Sequence, residues 1–337
     1  MIQDAENMNG HGAYDTMDGL NFVTSKEKDG VWAIREQSDN LKDGVPIPAT
    51  FADDWIDVAW YYDAEKAADK GETYSISTAE ELYGFSAISQ DYNFEGDTIQ
   101  LANDITANGG KASSWAAGTT IPDRQWKPIG KDTPFAGTFD GKEKTISGIY
   151  VNETTQNAGL FAATEYNVST IKNIRLENSY IYSSVNGNAN VGSIVGYSNR
   201  TKLTNIYSNA YVTSTTGNRV GGSVGELFNA HTSKDISKCW FDGYVQGSTL
   251  CGGIVGRYNT GTSIISNVLV TGAVKSTKEI TSGDSNVQTG GIVGGTADSA
   301  GAKLTIKTAV HAGTVEDNYT GTQDHKIGGV VGFKRGA

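Results

Sequence analysis

The sequence predicts an all-β protein, a right-handed parallel β-helix with a short N-terminal capping helix, and three observations carry that prediction. A glycine-rich pentapeptide recurs as Gly192-Ser193-Ile194-Val195-Gly196, Gly221-Gly222-Ser223-Val224-Gly225, Gly252-Gly253-Ile254-Val255-Gly256, Gly290-Gly291-Ile292-Val293-Gly294 and Gly328-Gly329-Val330-Val331-Gly332. The final glycines lie 29, 31, 38 and 38 residues apart, so one supersecondary unit is stacked on copies of itself. Second apolar segments alternate with the pentapeptides: Leu203 to Val212, Ile236 to Val245, Ile265 to Val274 and Ile306 to Val315 superpose without gaps, and Ile171 to Ile181 needs one extra residue. No helical periodicity separates them, which leaves two or three short strands in each unit.

Within the second segments apolar and polar residues alternate with the period of a strand. Ile206, Ser208, Ala210 and Val212 share one face, matched by Cys239, Phe241, Gly243 and Val245, by Val268, Val270, Gly272 and Val274, and by Ala309, His311, Gly313 and Val315. Asn173, Asn205 and Asn267 recur at a bend, where asparagine tolerates left-handed backbone angles and bonds to the asparagine of the next coil. The glycines make room at tight corners. Upstream, Thr78 and Glu81 form a capping-box pattern, and Leu82, Phe85 and Ile88 follow at helical spacing. This predicts an amphipathic helix over residues 78–90 that covers the open end of the solenoid, since a terminal coil exposes both its edge and its core. Ile99 to Ile105 is the expected first strand and Phe135 to Val151 the first complete coil.

The bulk numbers fit one elongated domain. The chain has 337 residues, 42 of them glycine and 5 proline, and a repeat array of this length forms one continuous domain. A net charge of −11 argues against nucleic acid and anionic membrane as partners, because both need a basic face. No segment is apolar enough over about 18 residues to insert in a membrane, and the first residues lack the parts of a signal peptide. Cys239 occupies a column with Ile174, Ile206, Val268 and Ala309, and Cys251 one with Val191, Val220, Thr289 and Ile327, so both read as small buried hydrophobes.

Motifs of catalysis are weak. Gly221 to Gly225 matches G-x-S-x-G, yet Ser223 replaces the isoleucine of sister repeats and no strand-turn-helix context or histidine base accompanies it. His11, His231, His311 and His325 are scattered without metal-ligand spacing, and His311 reads as a hydrogen-bonded core or near-core residue. Asp91, Asn93, Glu95, Gly96 and Asp97 imitate the start of a calcium loop, but Ala102 stands where the bidentate glutamate belongs, which favours a solvated turn. Asp140, Glu143, Glu177 and Asp242 do not gather in one column as a glycan-cleaving carboxylate pair must. No cofactor is implied.

The outward face of the second segments carries a stronger signal. Tyr207, Asn209 and Tyr211 point out where Ile206, Ser208 and Ala210 point in, and the next coil presents Trp240, Asp242 and Tyr244. Stacked strands lie about 4.8 Å apart, which makes Tyr207 a neighbour of Trp240 and Tyr211 a neighbour of Tyr244, with Leu269 and Val310 extending the first column. Such rings either stack on a sugar or a protein partner, or stabilise the sheet by stacking on one another.

Trp126-Lys127-Pro128-Ile129-Gly130, Phe135-Ala136-Gly137-Thr138-Phe139-Asp140-Gly141, Gly159-Leu160-Phe161-Ala162 and the five pentapeptides together resemble the GLUG-motif repeat proteins, over residues 73–337. These repeats occur in large bacterial cell-surface adhesins and flank some surface peptidases. Their first copy typically reads Gly-Leu-Phe-Gly; here Ala162 holds the last position. The resemblance implies a non-catalytic, extracellular adhesin segment, an elongated scaffold whose partner is a host glycan or host surface protein; the aromatic patch read from the alternation, Tyr207, Trp240, Tyr211 and Tyr244, is the expected place to meet it. Two alternatives stay open: a β-helical polysaccharide-degrading enzyme or peptidase flank, and a passive spacer. Residues 1–52, with Leu20, Phe22 and Trp32, look like the closing segment of a preceding repeat domain; 53–98 read as linker and capping helix, and 99–337 as the β-helix. An end just after Gly332 suggests a cut last coil and head-to-tail self-association of chains.

Overall fold

The computed structural model describes the backbone of residues 32–37 and 40–48, and residues 56–58, 60–61, 71–164, 169–228, 236–277, 287–297, 302–317 and 326–333. Leu20, Phe22, His11, His231 and His325 lie outside them. Trp32–Gln37 pairs antiparallel with Asn40–Pro48.

From Thr138 onward the chain forms a parallel β-helix of six coils, each contributing one strand to a broad nine-stranded sheet and one to each of three six-stranded sheets. The third coil shows the plan: Lys202–Ser208 on the broad face, Tyr211–Thr213 on the second, Gly217–Gly221 on the third and Val224–Phe228 on the fourth. Four strands per coil exceed the two or three expected, because each pentapeptide and each apolar segment bends once more than its hydrophobic pattern reveals. The first full coil runs from Thr138 to Ala163 rather than ending at Val151. The broad sheet also starts earlier than Ile99: Thr73–Ile76 pairs with Thr98–Leu101, which pairs with Thr138–Ser147, and Ile105–Thr106 is a separate short strand on the same neighbour.

Register follows the repeats. Val195, Val224, Val255, Val293 and Val331 pair in one file, and Phe161 continues it in the first coil. The four described valines from Val195 to Val293 are fully buried. Cys239 pairs with Ile206 and Val268, and Cys251 with Val220 and Thr289; both are buried free thiols. Burial pushes both thiols up to about 12. The glycines are required by crowding: a side chain on Gly253 would strike the Gly291 carbonyl of the next coil and the Val270 methyls.

The left-handed bend recurs in the broad strands, inside them rather than before them. Asn173, Asn205 and Asn267 have φ of 56°, 57° and 54°, and Lys238 and Thr308 adopt the same conformation at 54° and 50°. Stacking of coils therefore overrides the side-chain preference at two of five positions. Asn205 donates to Asn173 Oδ1 at 2.9 Å, and Asn173 donates to Asp140 Oδ1 at 2.9 Å, so the asparagine ladder is anchored on a carboxylate. Burial raises the pKa of Asp140, but the Asn173 amide, the Lys142 backbone N–H and Lys172 outweigh it, leaving the carboxyl below its ordinary value.

Helix α1, Ala79–Ile88, carries the full reciprocal capping box between Thr78 and Glu81. It closes the solenoid through Phe85, whose ring stacks on Phe139 at 5.8 Å and meets Phe94, Phe135 and Phe161 edge-on. The turn before Thr98 is solvated in part: Gly96 is exposed and Asp91, Asn93 and Glu95 are half-buried, but Asp97 is 2% exposed and accepts from the Gly71 and Glu72 backbone N–H groups and from the Tyr92 hydroxyl, which commits the carboxylate that a calcium loop would need. His311 is half-buried, and its buried Nε2 has no hydrogen-bond partner among the described residues; burial lowers its pKa.

Candidate ligand-binding surface

The broad and second faces meet at a corner, and the aromatic residues flank it. On the broad face Arg175, Tyr207, Trp240, Leu269 and Val310 form one outward file. The Arg175 guanidinium lies 4.4 Å from the Tyr207 ring centre and is held by Glu177 at 2.8 Å. Tyr207 meets Trp240 edge-to-face at 4.9 Å. Tyr207 is thus sandwiched, and burial first, then Asp242 and Glu177, raises its pKa. Trp240 is different. It is 41% exposed, and its orientation is set by a relay in which the indole N–H donates to Thr271 Oγ1 at 2.8 Å and the Thr271 hydroxyl donates to Asp242 Oδ1 at 2.5 Å. A large ring held open in one orientation by hydrogen bonds has already lost the rotamer freedom that binding would cost.

On the second face Tyr150, Tyr180, Tyr211 and Tyr244 stand in register, a four-residue ladder that extends the expected pair Tyr211 and Tyr244 by two rings. The spacing of these tyrosines was readable, but Tyr150 and Tyr180 lie outside the gap-free alignment. An insert between Ala107 and Trp126 lies over the first two and reaches the edge of Tyr211: Trp115, in helix α2 (Ala112–Ala116), packs edge-on against Tyr150 at 5.9 Å, Tyr150 stacks on Tyr180 at 5.8 Å, and Tyr180 and Tyr211 both pack against this cluster. For Tyr150 and Tyr180, mutual stacking under a loop is the role. Tyr211 and Tyr244 continue the ladder with ring centres 5.9 Å apart and remain partly open.

The insert is fastened at two points. Asn108 bridges its neck, donating to the Arg124 and Gly148 carbonyls at 2.9 Å and accepting from the Arg124 N–H at 3.1 Å. Asn178, the one extra residue of the second coil, accepts from the Ala112 N–H at 2.9 Å and donates to the Gly110 carbonyl at 2.7 Å. A cleft of about 520 Å³ opens between the insert and the corner, lined by Lys111, Ser113, Asn209, Tyr211, Asp242 and Tyr244 among others.

No protein-family model matches the chain. Halomucin of Haloquadratum walsbyi is 31% identical over 148 residues, which is 43% of this chain and 2% of halomucin. A Bacteroides ovatus protein described as a candidate immunoglobulin A1 protease has a solved structure that superposes with a TM-score of 0.55 at 17% identity, covering 78% of this chain and 84% of that one. The likeness establishes a shared fold.

Other polar clusters are spent on structure. Glu226, 2% exposed, accepts from Arg219 at 2.7 Å, Arg257 at 3.3 Å and Asn259 at 2.6 Å, and so ties the third coil to the fourth. Nearby, burial and then Glu226 push the Tyr197 phenol up to about 12. Ser223 is 1% exposed at a strand-to-strand corner, not at a strand-to-helix elbow. Among the described residues no three His, Cys, Asp or Glu side chains group as a metal site, and no helix is long and apolar enough to cross a membrane.

Proposed function

We propose that this chain is a non-catalytic segment of a bacterial surface adhesin of the GLUG-repeat type, working outside the cell as a stiff arm that presents an aromatic face to a host glycan or surface protein. The observation that carries this reading is Trp240, exposed yet locked by Thr271 and Asp242 beside Tyr207. Aromatic residues fixed in this way are the typical anchors of recognition surfaces. The match to a short stretch of the far longer halomucin fits a module within an extended protein.

Replacing Trp240 with Ala should weaken binding to a glycan array or to host cells by about 30-fold, the order of a single anchor residue, with the thermal midpoint little changed. A passive spacer would show no binding to lose. The likeness to the Bacteroides ovatus protein motivates a parallel assay: sustained cleavage of immunoglobulin A1, or release of reducing ends from polysaccharides, would replace the adhesin reading with an enzymatic one.

A further inference from the structure

The cleft beside the corner differs from the open aromatic file in having two walls of different origin. One wall is the second-face ladder, Tyr211 and Tyr244, with Asp242 at the corner; the other is the insert, presenting Lys111 and Ser113. Asn178 holds the insert through its side-chain oxygen and one amide N–H, so its part here is to position the wall. Lys111 begins α2 without a side-chain capping bond and is exposed. Asp242 engages Thr271 through Oδ1, and among the described residues its Oδ2 has no partner, nor does the Lys111 ammonium have an ion-pair partner.

Among the described residues, a cation without an ion-pair partner and a carboxylate oxygen without a hydrogen-bond partner therefore line the same cleft as two partly buried phenol rings. The two groups add no net formal charge to the cleft. A sugar carboxylate is attracted by Lys111 and repelled by Asp242, and the ammonium of an amino sugar the reverse. A neutral pyranose gains at both, because its hydroxyls accept from an ammonium and donate to a carboxylate in charge-assisted hydrogen bonds. Its apolar ring face meets the tyrosines. The volume, about 520 Å³, lies in the range of small-ligand sites.

We infer that this cleft is a subsite for one neutral pyranose residue of a glycan, with Tyr211 and Tyr244 as platform, Asp242 and Lys111 as hydroxyl partners, and Trp240 as the neighbouring platform for the next residue. The inference rests on the glycan branch of the adhesin reading and assigns it a sugar class and a pocket.

The test is saturation-transfer NMR and calorimetry with the methyl glycosides of glucose, galactose, mannose, N-acetylglucosamine and glucuronic acid, and with glucosamine, on the full chain. At least one neutral glycoside should bind, more tightly than either charged sugar, and its affinity should fall about tenfold, the equivalent of about 1.4 kcal/mol, in each of Lys111→Gln, Asp242→Asn and Tyr244→Leu. Asp242→Asn keeps an oxygen for Thr271, so it leaves Trp240 in place. Circular dichroism melts establish that each variant folds; should Tyr244→Leu fail to fold, Lys111→Gln alone decides, since its side chain lies on the surface. Preference for a charged sugar, no binding by any of the panel at millimolar concentration, or affinity untouched by Lys111→Gln overturns the subsite. If cells or larger glycans still bind and respond only to Trp240→Ala, the subsite fails while the adhesin reading stands; if nothing binds wild-type protein, both fail.

Discussion

Two ways of filling a core sit side by side in this molecule. At the capped end, α1, the first coil and the segment between them pack Phe85, Phe94, Phe135, Phe139 and Phe161 into one irregular group with centroid distances of 5.1 to 6.5 Å. In the coils that follow, the same volume is filled by files of valine, isoleucine and small residues, each resting on its copy above and below. The difference follows from symmetry. A repeat fits its own copy, so identical small side chains pack without gaps; the first coil faces a helix, and mating a curved strand layer to a helix takes rings of unequal orientation.

The contrast can be broken most directly at Phe85. Phe85→Ala should cost about 3–5 kcal/mol, against about 2 kcal/mol for Val255→Ala, because the ring meets Trp60, Phe94, Phe135, Phe139 and Phe161 and has no copy to take its place. Urea unfolding gives both values, and equal costs would remove the distinction. In Phe85→Ala the buried Trp126 should report loosening of the capped end, while Cys239 and Cys251 stay unreactive to a thiol reagent until the coils themselves open.

A second substitution sharpens the view of the coils. Gly253→Ala should destabilise by about 1–3 kcal/mol through overpacking against the neighbouring coil, whereas alanine at Gly329, which meets nothing within 4 Å, should be tolerated. Thermal melts of the two variants check the pair. The smallest effect is expected at the bend: Thr308→Asn should stabilise by about 1 kcal/mol by relieving a β-branched residue of a left-handed backbone. An unchanged midpoint would mean that the coil geometry has already relaxed that strain.

How much of this was legible depends on whether a feature repeats. The valine file, the alternation in Leu203 to Val212 and its sisters, and the Thr78–Glu81 cap are patterns of spacing, and spacing survives in a bare sequence. The left-handed bend was legible at three asparagines but not at Lys238 and Thr308, where neighbouring coils impose the angle. The pairing of Tyr207 with Trp240 and of Tyr211 with Tyr244 followed from register, but which rings stay open did not. That is decided by the insert, whose Ala-Ser-Ser-Trp-Ala helix has no periodicity to announce it, and by Asn178, which lies in the segment that needs one extra residue to align. A unit that occurs once leaves no internal comparison from which to infer it.

The valine file has a mechanical consequence. Among the described residues the strands of each turn pair with those of the turns beside it, so tension drawn between the two ends should reach the backbone ladder in succession, as in a zip. Turns of 29, 31, 38 and 38 residues then pay out roughly 100 to 130 Å apiece at about 3.4 Å per residue. The molecule holds its slack in separate parcels, and it lengthens by steps instead of snapping.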